Sequence, residues 1–101
     1  MTTLQIELWT KRLDAAGASS HVVFNCIDKM QKGCIKYGEW DPDGVELRDF
    51  YKELEQELLD SINYVLMAIQ KNEQEGMYDR SVLDNMLKQI VFVLNYLNTF
   101  S

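Results

Sequence analysis

Apolar side chains recur at Leu47, Tyr51, Leu54, Leu58, Ile62, Val65 and Ile69. Steps of three and four residues place all seven on one face of an α-helix but scatter them over both faces of a strand. Leu59 and Leu66 widen this stripe to one side, so the helix can pack against neighbours on two flanks. The same period runs nearly throughout, and no convincing run of alternating polar and apolar residues breaks it. The expected class is all-α, a four-helix bundle-like subunit.

The spacing predicts four helices. The first covers about residues 3–15, with Leu4, Leu8, Trp9 and Leu13 as its apolar face, and Gly17 ends it. Ser19 or Ser20 can cap the second, in which Val23, Ile27, Met30 and Cys34 form the stripe as far as Lys36. The third runs from about Val45 to Gln74, and Gly76 with the polar run 71–75 makes the next turn. Ser81-Val82-Leu83-Asp84 resembles a capping box for the fourth, which carries Leu83, Leu87, Ile90, Leu94 and Leu97. Its second half, residues 90–94, is apolar on nearly every side, which in so short a chain suggests a subunit interface in a homodimer or higher oligomer.

A chain of 101 residues is expected to form one domain, near the lower limit for a core that stands without metals, disulfides or a partner. With 16 acidic against 10 basic side chains, the formal charge of −6 repels phosphate backbones, which argues against nucleic acid as a partner. The longest strongly apolar run, residues 90–94, is far too short to span a bilayer, and the amino terminus lacks the pattern of a secretory signal; a soluble cytoplasmic protein is expected. Cys26 and Cys34 stand two helical turns apart, too far to bridge, with only His21 to assist a metal. Both are expected to be buried free thiols.

Two features carry possible chemistry. The interruption at residues 37–44 holds two glycines, the single Pro42, and the aromatics Tyr37 and Trp40, which either fold back over the core or wall a ligand pocket. The third helix carries Glu53, Glu57 and Asp60 within about 60° of one another, at the border of its apolar stripe. Three hard oxygen donors suit Mg2+ or Mn2+, with waters and substrate phosphates completing an octahedron. Glu46 could extend that flank, and Asn63 and Tyr64 follow it. Lys32 and Lys36 could meet phosphate oxygens as point charges. Equally, an acidic stripe at helical spacing is the ordinary solvated face of a helix, and the lysines ordinary surface residues.

Three segments also carry a resemblance: Lys32-Gly33-Cys34-Ile35-Lys36-Tyr37-Gly38, Leu47-Arg48-Asp49-Phe50, and Glu57-Leu58-Leu59-Asp60-Ser61-Ile62-Asn63-Tyr64. In this order they resemble small phage and bacterial proteins related to the MazG-like all-α nucleotide pyrophosphatases, over about residues 29–72. The resemblance implies a helical dimer or tetramer that uses magnesium to hydrolyse a nucleoside triphosphate to monophosphate and pyrophosphate. It implies that Glu57 and Asp60 form an ExxD element, catalytic and metal-binding, with Glu53 as a third ligand. Lys32, Lys36, Tyr37, Trp40, Asn63 and Tyr64 would then meet the substrate. The upstream EExxE of that superfamily is missing, so Glu46, Asp79, Asp84 or a second subunit would have to complete the site. The alternative expectation is a non-enzymatic helical oligomer or interaction module that keeps the scaffold without the reaction.

Overall fold

The computed structural model describes residues 1–100, the side chain of Phe100 excepted. Four α-helices make up most of it: α1 (Thr3–Ala15), α2 (Ser20–Tyr37), α3 (Leu47–Glu75) and α4 (Arg80–Phe100), with a single 3-10 turn at Pro42–Gly44. No strand occurs among the described residues, so the class is all-α. The chain divides into two compact units, Met1–Gly44 and Val45–Ser101.

In the first unit, local capping sets the helix ends. Thr2 and Gln5 form a reciprocal capping box at the start of α1, with Gln5 N donating to Thr2 Oγ1 at 3.1 Å and Thr2 N donating to Gln5 Oε1 at 2.9 Å. Gly17 at φ 84° turns the chain after α1, a left-handed conformation that costs glycine little. Ser19 then caps α2 by accepting from Val22 N at 3.3 Å. The α2 stripe is the expected one, with Val23, Ile27 and Met30 half-buried and Cys34 buried. The α1 face is the expected one in part: Trp9 and Leu13 are half-buried, with Gln5, Ile6 and Thr10 beside them, while Leu4 is exposed at 73% and Leu8 at 44%. Both registers are helical, and the partner helix selects the one that carries Trp9, the larger surface.

Two contacts join the beginning of this unit to its end. The Met1 amino group lies 2.9 Å from a Glu39 carboxylate oxygen, and Gln5 Nε2 donates to the Trp40 carbonyl at 3.3 Å. The hydrogen bond to Glu39 holds the amino group's pKa above its ordinary value.

The second unit is a helical hairpin. Leu58, Ile62, Val65 and Ile69 of α3 are covered, and so are Leu83, Leu87, Ile90, Leu94 and Leu97 of α4, with Ile69, Leu83 and Leu97 buried deepest. The stripes expected on the two helices therefore meet in one seam, and Ile90 and Leu94 belong to it. The first three members of the α3 stripe are uncovered, namely Leu47, Tyr51 and Leu54. Length explains this: α3 has 29 residues against 21 in α4, and the short turn at residues 76–79 aligns them at the other end. About two turns of α3 thus run beyond the reach of α4.

Gly76 at φ 66° closes α3, its N–H donating to the Asn72 carbonyl. Asp79 opens α4 by accepting from Ser81 N at 2.9 Å and Ser81 Oγ at 2.7 Å. Capping at this end therefore falls to Asp79 rather than to a box built on Ser81 and Asp84. Arg80 bridges the two helices, its guanidinium 2.8 Å from Glu73 and 2.9 Å from Asp84.

Candidate functional site

Because α3 is unbroken from Leu47 to Glu75, Glu53, Glu57 and Asp60 keep the helical spacing that the sequence implies, rising about 6 Å and then about 4.5 Å along the axis. All three are exposed, and none of them takes part in an ion pair among the described residues. They flank the covered residues of α3, which are Leu58, Ile62, Val65, Ile69 and Asn72 with Glu55 and Ser61, and project outward from them, Glu57 nearest to that set and Asp60 furthest from it. Asn63 and Tyr64, the latter 70% exposed, share that outward aspect.

Oxygen donors of this kind suit a small hard cation. Their convergence is another matter: among the described residues, no three His, Cys, Asp or Glu side chains come together closely enough to hold a metal ion. The carboxylates considered as substitutes for an upstream motif are already engaged. Glu46 pairs with Arg48 at the start of α3. Asp84 pairs with Arg80, and Asp79 accepts twice from Ser81, which holds its carboxyl below the usual carboxylate range.

The expected phosphate and base contacts lie in the other unit. Lys32 sits 2.8 Å from Asp28, four residues before it, and this hydrogen bond pushes its ammonium pKa up. Lys36 is exposed, its ammonium 5.2 Å from the centre of the Tyr37 ring, a cation–π distance. Tyr37 is the last residue of α2 rather than a loop residue and is 81% exposed, so it does not fold back over the core. Trp40 is half-buried. His21 is exposed, its Nε2 3.0 Å from Asn25 Nδ2. Cys34 is buried as expected, whereas Cys26 is exposed: it lies off the Val23–Ile27–Met30 stripe.

One apolar cavity stands apart from all of these. It measures about 450 Å³, within the ordinary range of small-molecule sites, and is lined by Ala68, Asn72, Val82, Leu83 and Met86 among others, where the turn joins α3 to α4. None of the residues expected to bind nucleotide or metal lines it. Asn72 is the polar residue that sequence reasoning passed over. It stands three residues after Ile69, on the same stripe, and is buried because its side chain serves the turn: Nδ2 donates to the Tyr78 carbonyl at 2.9 Å and Oδ1 accepts from Tyr78 N at 2.7 Å. A polar residue in register with an apolar stripe was the available signal.

No helix among the described residues is long and apolar enough to cross a membrane. Comparison with known proteins yields no matching family model, no matching curated protein and no matching solved structure.

Proposed function

We propose that this chain is the subunit of a homodimeric, magnesium-dependent hydrolase that converts a nucleoside triphosphate to monophosphate and pyrophosphate. The supporting observation is the outer face of α3, where Glu53, Glu57 and Asp60 stand on successive turns, exposed and without an ion pair among the described residues, with Asn63 and Tyr64 following. The MazG-like order of residues described above supports the same reading. Three unneutralised carboxylates on one face repel each other, and a divalent cation reverses that repulsion. Bound there, magnesium would polarise the phosphate and neutralise charge as it develops. Glu53, Glu57 and Asp60 would supply part of its coordination shell. Glu57 or Asp60 would also orient the attacking water and accept its proton as the α-phosphorus–oxygen bond to the leaving pyrophosphate breaks. Lys32 and Lys36 would meet phosphate oxygens, and Tyr37 or Trp40 would stack on the base.

A second reading is a non-enzymatic helical oligomer whose acidic face meets only solvent or a basic protein. It is favoured by the absence, among the described residues, of a converging metal-ligand group. Titration with Mg2+ and a panel of deoxynucleoside triphosphates separates the two. Saturable binding and pyrophosphate release that disappear in Glu57→Gln and Asp60→Asn, with helicity intact, support the hydrolase. Absence of both in the unaltered protein leaves the oligomer.

A further inference from the structure

We infer that the cavity at the turn between α3 and α4 is a binding site for a small, uncharged aromatic molecule, held by Met77, Tyr78 and Met86 over Leu83 and Asn72. The site is separate from the proposed magnesium face, since none of Glu53, Glu57 and Asp60 lines it.

The lining disfavours a polar or charged occupant. Its deepest residues are Asn72 and Leu83, and the Asn72 amide is already committed, as donor and as acceptor, to the backbone of Tyr78. The two charged side chains at the edge neutralise each other, Lys71 Nζ lying 3.1 Å from Glu75 Oε1. Among the described residues, no buried side-chain polar atom lacks a partner. A polar ligand would surrender its hydrogen bonds to water without replacement, whereas an apolar one has none to surrender. Met77, Tyr78, Val82 and Met86 supply most of the remaining wall, and all four are exposed to water until something covers them. Thioethers make favourable contacts with ring edges and a tyrosine ring stacks in offset fashion, so a flat aromatic gains more here than an aliphatic chain of the same area.

Size and rigidity agree. A dry apolar cavity of about 150 Å³ holds one benzene. At about 450 Å³, this one has room for roughly two or three rings. Its wall is also set in advance, because the hydrogen bonds from Asn72 fix the Tyr78 backbone and little order remains to be lost on binding. The unbranched methionine side chains then adjust to the outline that enters.

Fluorescence titration of the full chain with phenylnaphthylamine, an uncharged aromatic dye, tests this. Saturation at one dye per chain is expected, at least about 10-fold tighter than for anilinonaphthalene sulfonate, which carries an anionic group on the same rings. Ala68→Trp, which fills the cavity from its smallest lining residue, should weaken binding at least about 10-fold with the helical circular dichroism unchanged. If that variant loses helix, Met86→Glu carries the same expectation. Leu47→Ala, on the uncovered part of α3, should leave the affinity unaltered. Absence of saturable binding overturns the inference, including the case in which sedimentation gives twice 11.8 kDa because a second copy fills the cavity. So do several dyes per chain, equal affinity for the sulfonate, binding that survives Ala68→Trp with the fold intact, or binding that Leu47→Ala abolishes. Magnesium and triphosphate are absent throughout, so this site and the proposed hydrolysis fail separately.

Discussion

Asn72 holds the peptide of Tyr78 at both ends, donating to its carbonyl at 2.9 Å and accepting from its N–H at 2.7 Å. One side chain thereby satisfies the turn that lets α4 return along α3. Asn72→Ala removes both bonds and leaves two partly buried backbone groups unpaired, at a cost of about 1–3 kcal/mol. Asn72→Asp should cost at least as much, because its carboxylate faces the Tyr78 carbonyl. Urea unfolding followed by circular dichroism measures both, and amide exchange at Tyr78 should rise before exchange elsewhere in the hairpin.

Ile69 and Leu97 are among the most buried apolar side chains of the second unit. Truncating either to alanine should destabilise the chain by about 2–3 kcal/mol, the low end for such changes, because no described side chain is fully enclosed and the cavity left behind can fill with water. Leu47→Ala, on the part of α3 beyond α4, should cost less than about 0.5 kcal/mol. A shared denaturant series shows whether the two sites separate in this way.

Asp79 is the pH-sensitive cap. Its folded pKa lies below the ordinary carboxylate value because Ser81 hydrogen-bonds the ionised form. The resulting stability is present above the unfolded pKa, near pH 4, and is lost as the pH falls through the folded pKa. Unfolding free energies between pH 6 and pH 2.5 should therefore decline less steeply in Ser81→Ala than in the unaltered protein.

The thiols should differ in reactivity. Cys26 is exposed and Cys34 buried, so a thiol reagent should modify one equivalent quickly in the folded chain and two after denaturation. Cys26→Ser should abolish the fast phase.

On the outer face of α3, Glu57→Gln and Asp60→Asn should each lower magnesium-dependent pyrophosphate release by at least about 100-fold if the proposed chemistry holds. Mg2+ affinity should fall in parallel, read by calorimetry in the presence of a triphosphate.

Periodicity made the hairpin seam legible, since Leu58, Ile62, Val65 and Ile69 can share only one helical face and Leu83 through Leu97 supply its counterpart. It left the ends undetermined. Nothing local records that α4 stops short of Leu47 and Tyr51, or that α2 selects Ile6 and Trp9 over Leu4 and Leu8, because each depends on a neighbour distant in sequence. The acidic run was equally visible, and its spacing survives in α3. Whether three carboxylates form a ligand group depends on what stands opposite them, and helical spacing carries no such information. Asn72 was hidden for the reverse reason: its polarity placed it with the turn, while its register placed it with the core.

The outward projection of Glu53, Glu57 and Asp60 bears on how such a chain can change over generations. All three positions are exposed, so substitutions can accumulate there one residue at a time while the hairpin persists. If the proposed chemistry holds, drift on this face would alter what the protein does long before it altered whether the protein folds. A lineage built on this hairpin could thus hold active and silent members that are alike in architecture and separable only by assay.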